Sequence, residues 1–164
     1  MAARRRARTP GRRAAKNARA KKASASRPTR VHSASSLRLI ERLRRICLAL
    51  PEATEKEAWS EPTWRVKNKL FAQLDDHHHG SPHCSVWLPA PLGLQETLVE
   101  SDPDRFFRPP YVGYRGWIGV VLDTKPHTKP HRKPDWKLVA ALVEQAYRLI
   151  APAKLAARLD GEDA

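Results

Sequence analysis

Apolar side chains between residues 36 and 50 fall at Leu37, Ile40, Leu43, Ile46, Cys47 and Leu50, the spacing of one face of a helix. Ser35 or Ser36 supplies a cap at its start, and Pro51 stops it. Residues 51–60, PEATEKEAWS, lack that period and read as an acidic connection into a sheet. Two short runs follow, TWRV (63–66) and KLFAQLD (69–75). They place Trp64 and Val66 on one face, and Leu70, Ala72 and Leu74 on one face of the partner. Lys67 and Asn68 sit between them as a two-residue turn, where Asn tolerates the left-handed conformation a tight hairpin needs. CSVWL (84–88) is a third strand. Residues 89–101 are a short helix that Gly93 weakens and Asp102-Pro103 ends.

The stretch RFFRPPYVGYRGWIGVVLD (105–123) organises the second half. Pro109 and Pro110 hold Arg105 to Tyr111 extended, and an arm that cannot donate at its prolines belongs at a sheet edge. Gly113 and Gly116 suit a turn with positive φ. Trp117 to Leu122 is apolar at every position, as in a strand covered on both faces. A hairpin with a central second arm is predicted. After a polar loop at 125–134, Asp135 caps a last helix whose stripe is Trp136, Val139, Ala140, Val143, Ala146, Tyr147 and Ile150. Pro152 interrupts it, and 154–159 adds a final turn or two. The order predicts a single α+β domain over residues 33–160. It has an antiparallel sheet of about five strands with helices packed on one face.

Charge changes this picture at one end. The chain has 31 basic and 17 acidic residues, and twelve of the basic ones lie in residues 1–32, which hold no Asp or Glu. That segment also lacks Leu, Ile, Phe, Trp and Tyr, so it cannot bury enough apolar surface to offset its ordering entropy; a disordered tail is expected. The remaining nineteen basic and seventeen acidic residues nearly balance, so the net charge of +14 is mostly a property of the tail. Arg4, Arg5, Arg6, Arg8, Arg12, Arg13, Lys16, Arg19, Lys21 and Lys22 make it a polycationic arm for phosphates, with release of counterions as the driving force. A solvated Arg/Ala-rich tail and an organelle transit peptide are the other readings.

No apolar run is long enough to span a bilayer, and the N-terminus lacks the apolar core of a secretory signal. Two cysteines without paired spacing, Cys47 and Cys84, argue against a disulfide framework and for a reducing, cytoplasmic setting. Cys47 lies on the apolar stripe of the first helix and reads as core. The opposite side of that helix carries Arg38, Arg42, Arg44 and Arg45, either a solvated face or one that lies on phosphate. Most of the five tryptophans should be core.

No glycine-rich phosphate loop, nucleophile elbow or paired-His zinc helix occurs, so no enzyme and no cofactor are expected. His77, His78, His79, His83 and Cys84 raise a metal question, with Asp75 and Asp76 as oxygen donors. Zinc sites draw on separated ligand pairs, and adjacent histidines do not all point inward. The segment therefore reads as a polar hairpin loop, a weak metal site being the alternative, and no metal ligand is assigned.

LALPEATEKEAW (48–59), PTWRVKNKLFAQL (62–74), RPPYVGYRGWIGVVLD (108–123) and EQAYRLIAPAKL (144–155) resemble the MmcQ/YjbR family over roughly residues 36–159. These are small bacterial proteins usually labelled DNA-binding. The resemblance implies a fold similar to the CyaY/frataxin α+β sandwich, and DNA or RNA as partner through phosphate contacts. In the matching motifs it points to Arg65, Lys69, Arg108, Tyr111, Arg115 and Trp117. Lys67 joins Arg65 and Lys69 at the hairpin tip. The basic tail, the histidine run and the long 125–134 loop depart from the family pattern. Iron binding of the frataxin kind is not expected, because the first helix is basic where hard cations need carboxylates. The competing expectation is a protein-interaction or small-ligand module that does not contact nucleic acid.

Overall fold

The computed structural model describes residues 31–123 and 133–161. The element order is α1 (Ala34–Leu48), β1 (Ala53–Ala58), β2 (Glu61–Val66), β3 (Lys69–Asp76), β4 (Cys84–Leu88), α2 (Leu94–Ser101), β5 (Phe106–Phe107), β6 (Ile118–Val121), α3 (Trp136–Ile150) and α4 (Ala153–Ala157). The six strands form one antiparallel sheet in the order β1-β2-β3-β4-β6-β5. The α+β class and the helix-covered antiparallel sheet are as the sequence predicts. Of the tail expected over residues 1–32, residues 1–30 lie outside the described residues, as does most of the 125–134 loop, while His32 is held against Asp76.

Several boundaries move. Ser33, not Ser35 or Ser36, caps α1, accepting from the Ser36 amide. Ser36 is buried instead, and its hydroxyl donates to Asp76 Oδ1 at 2.8 Å, tying the start of α1 to the end of β3. Residues 51–60 are not a plain connection: Ala53–Ala58 is an edge strand paired with β2 along its whole length. That raises the strand count to six. α2 begins at Leu94, behind Gly93 at φ 84°, and residues 89–93 are not helical. Asp135 does cap α3, accepting from the Lys137 and Leu138 amides.

The predicted hairpins form. Lys67 and Asn68 both take positive φ (48° and 63°), as a two-residue turn between twisted strands requires. β5 lies at the sheet edge and β6 lies between β5 and β4, so the proline arm and the apolar arm are placed as expected. Within the connection, Gly116 is left-handed but Gly113 is not; Tyr111 takes the second positive φ at 65°. A Cβ at Gly113 would meet Arg108 atoms at 3.4 Å, close to ordinary van der Waals contact, so neither space nor φ demands glycine there.

Register explains the two faces of the sheet. Trp64 is opposite Ala72 and Arg65 is opposite Leu70, so Phe71 is the extra residue of a bulge. Beyond it, Ala72, Leu74, Val86, Leu88, Ile118, Val120 and Phe106 turn to the helices, where they pack with Ile40, Leu43, Cys47, Val143 and Tyr147. Phe71 joins them, edge-on to Tyr147 at 5.4 Å between ring centres. The Tyr147 hydroxyl donates to the Pro51 carbonyl at 2.7 Å, pinning α3 to the entry of β1. Of the tryptophans, Trp64 and Trp87 are buried, Trp117 and Trp136 are half-buried, and Trp59 is 54% exposed.

Candidate functional site

Strand alternation sends the remaining residues to the face away from the helices. Gln73, Trp87, Gly119 and Phe107 stand in one cross-strand row, and Asp75, Ser85 and Val121 in the next. Thr63 and Glu61 continue this face on β2. Most of these positions are polar, yet Glu61, Thr63, Asp75 and Ser85 have no exposed surface, and Gln73 has 5%. The Trp87 indole N–H donates to the Ser85 hydroxyl at 3.2 Å.

Two loops fold over this face. From one end comes the histidine segment. From the other comes Tyr111, whose ring meets His79 edge-on at 5.7 Å. Between them lies a cavity of about 370 Å³ lined by Trp59, Gln73, His79, Trp87, Tyr111 and Val112. Tyr111 is thus a wall of this pocket as well as an exposed aromatic, at 73% exposure.

The histidines sort into two groups. His77 contacts Asp76 Oδ1 at 2.8 Å and Asp123 Oδ2 at 3.2 Å, and His83 approaches Asp123 Oδ1 at 3.7 Å. Asp76 also meets His32 Nδ1 at 2.7 Å. Burial opposes the charge on Asp76, but the bonds from His32, His77 and Ser36 outweigh it and hold the carboxyl below its ordinary range. His78 and His79 turn the other way, to the open face, with ring centres 4.0 Å apart. Positive φ at His77 (54°) and His79 (50°) breaks the alternation that would separate neighbours in a strand. His79 Nδ1 lies 2.8 Å from Asp75 Oδ1, and His78 Nδ1 lies 3.9 Å from Glu61 Oε1. The adjacent histidines thus do not all point one way, but His78 and His79 share a side.

The basic residues singled out from sequence occupy two turns that leave the sheet at the same end. In the β2–β3 turn, Lys67 pairs with Glu52. Arg65 donates to the Asn68 carbonyl at 3.1 Å, and Lys69 is exposed. In the β5–β6 connection, Arg108 and Arg115 line a cleft of about 720 Å³ together with Tyr114, Leu92 and Gln95, and both are exposed. Gln95 holds this connection by donating to the Gly113 carbonyl at 2.7 Å. Arg115 Nε donates to the Tyr114 hydroxyl at 2.8 Å. The α1 arginines are partly engaged: Arg44 bonds Glu41 and Glu55, Arg45 reaches Glu41, and Arg42 lies over the Trp136 ring. Arg4 through Lys22 lie outside the described residues.

Sequence reasoning passed over Glu61, Gln73 and Trp87 as members of one face. The signal was the polar alternation at Gln73 and Asp75 within KLFAQLDD, read only for its apolar half.

The YjbR family model matches residues 48–149. Among solved structures, a protein of Deinococcus radiodurans, DR2400, carrying the domain DUF419, is similar in fold. The TM-score is 0.52 and the identity 20%, over 67% of this chain and 76% of that one. No curated protein matches.

Proposed function

Since the chain belongs to the YjbR family, we propose that it is a non-catalytic nucleic-acid-binding protein whose basic N-terminal segment supplies most of the affinity. The observation that carries this reading is the separation of charge. Within the described domain several cations are tied to carboxylates: Arg44 to Glu41 and Glu55, Lys67 to Glu52, and Arg148 to Glu144 and Asp160. A cation already paired with a carboxylate gains little by exchanging it for a phosphate. Residues 1–30 hold twelve Lys and Arg with no acid among them, most of the net charge of +14.

In this reading the tail neutralises phosphates without regard to sequence. The cleft of Arg108 and Arg115 orients the duplex or single strand, and exposed Tyr114 offers a ring for a base. Lys69 adds a charge from the neighbouring turn. Binding to phosphate also fits a cytoplasmic protein that needs no cofactor.

The test is binding of a duplex oligonucleotide over a salt series by the full chain and by the chain without residues 1–30. Removal of the tail should abolish most of the affinity. It should also flatten the dependence of log K on log salt by ~0.9 for each phosphate that is no longer neutralised. Within the full chain, Arg108→Gln with Arg115→Gln should lower the slope by about 2 at most. Equal binding by both chain lengths would refute the assignment to the tail.

A second reading, a small-ligand module, is favoured by the aromatic pocket on the open face. It gains ground if neither chain length binds nucleic acid.

A further inference from the structure

We propose that Asp75, His78 and His79 form a site for one divalent transition-metal ion of the zinc, cobalt or nickel type, with a coordination position open to the aromatic pocket. The donor atoms of these three residues all lie within 4.8 Å of one another. Ligands about 2.1 Å from a zinc ion stand roughly 3–3.5 Å apart, so the site closes with a shift of about an ångström. Gly80 follows at φ 77°, and a Cβ built on it would meet nothing within 4 Å.

A second observation points into the same space. Asp75 has no exposed surface, and its Oδ1 meets His79 Nδ1 at 2.8 Å. Its Oδ2 is buried with no hydrogen-bond partner among the described residues. A buried carboxylate oxygen in that state is costly, and a cation beside it removes the cost. Glu61, also without exposed surface, stands behind His78. Its Oε2 also lies 3.6 Å from His32 Nε2. Backbone geometry supplies the rest, since the two positive-φ residues turn adjacent imidazoles onto one side.

The chemistry of the donors selects the class of ion. Two imidazoles with a carboxylate suit zinc, cobalt or nickel, whereas magnesium and calcium prefer all-oxygen shells. Three protein ligands leave a position free, and His79 is itself a wall of the cavity between Trp59, Trp87 and Tyr111. A water or a small anionic ligand fits there. This site is independent of the tail and does not rest on nucleic-acid binding.

The test uses the full chain, stripped with a chelator and titrated with zinc chloride in a calorimeter, then with cobalt(II) followed by visible absorption. One equivalent should bind, and cobalt should show the d–d bands of a low-symmetry nitrogen–oxygen site. His78→Ala with His79→Ala, and separately Asp75→Asn, should weaken binding by at least about tenfold. His77→Ala with His83→Ala, whose imidazoles lie at the neighbouring Asp76–Asp123 group, should not. A second readout holds if the histidine variants fail to fold. The His79 and Trp87 ring centres are 5.7 Å apart, so cobalt at this site must quench tryptophan emission in the wild-type chain. Absence of stoichiometric uptake, loss of binding in the His77/His83 variant, or a bound cobalt that leaves the emission unchanged each overturns the site.

Discussion

Replacing Gly119 by alanine sets two effects against each other on the open face. Gly119 does not take a positive φ, so its backbone accepts a side chain, and removing a glycine from a strand alone would stabilise by roughly 0.5–1 kcal/mol. The space does not accept one. An ideal Cβ would lie 2.5 and 2.6 Å from Phe107 Cε1 and Cε2, with Cζ nearer still. Carbon atoms rest about 3.5–4.0 Å apart, so the ring must retreat by about an ångström. Phe107 belongs to a two-residue edge strand, and its retreat strips cover from Gly119. Overpacking of this kind costs about 1–3 kcal/mol, which outweighs the backbone gain. The net loss is at most about 2.5 kcal/mol, a fall in Tm of up to roughly 10 °C for a domain of this size. The sharper assay is a double-mutant cycle by thermal denaturation. In a Phe107→Ala background the obstacle is gone, and Gly119→Ala should become neutral or stabilising. A Gly119→Ala substitution that destabilises equally in both backgrounds would refute the steric account.

Tyr147→Phe removes the hydroxyl that reaches the Pro51 carbonyl between α3 and β1. Chemical denaturation should show a loss of about 1 kcal/mol with an unchanged m value, and an unaltered midpoint would count against the bond. The thiols of Cys47 and Cys84 are both fully buried, and burial raises each well above the ordinary cysteine value, helped at Cys84 by the Asp76 carboxylate. At pH 8 neither should react with a thiol reagent until the protein is unfolded in guanidinium, when two should react. Prompt labelling of the native protein would show that one of them opens to solvent.

What the sequence made legible follows what each element is built from. The stripes of α1 and α3 and the all-apolar β6 announce themselves because burial against a helix-covered core demands leucine, isoleucine and valine at a fixed period. β1 was silent for the opposite reason. Its side chains ATEKEA are largely exposed, and its stability comes from backbone pairing with β2, which any residue can make. Alternating charge on an edge strand also deters further pairing, so its composition imitates a loop. The turn at Trp59 and Ser60 likewise lacks glycine or asparagine although both residues take positive φ. The candidate cluster was hidden in part because it depends on φ at His77 and His79, which residue type does not announce.

The two faces of the central strands obey different rules. β3 and β4 give Ala72, Leu74, Val86 and Leu88 to the helices, as packing requires. They give Gln73, Asp75, Ser85 and Trp87 to the other side, equally buried. A face that only needed covering would be more stable with apolar residues, because buried carboxylates carry a desolvation cost that aliphatic side chains do not. Loop packing alone therefore does not account for Asp75, whose buried Oδ2 has no hydrogen-bond partner among the described residues. The proposed cation would account for it, and would give this face a role separate from the one proposed for the basic tail. The two roles come apart experimentally: a chelator should leave the salt dependence of nucleic-acid binding unchanged, and removal of residues 1–30 should leave metal uptake unchanged.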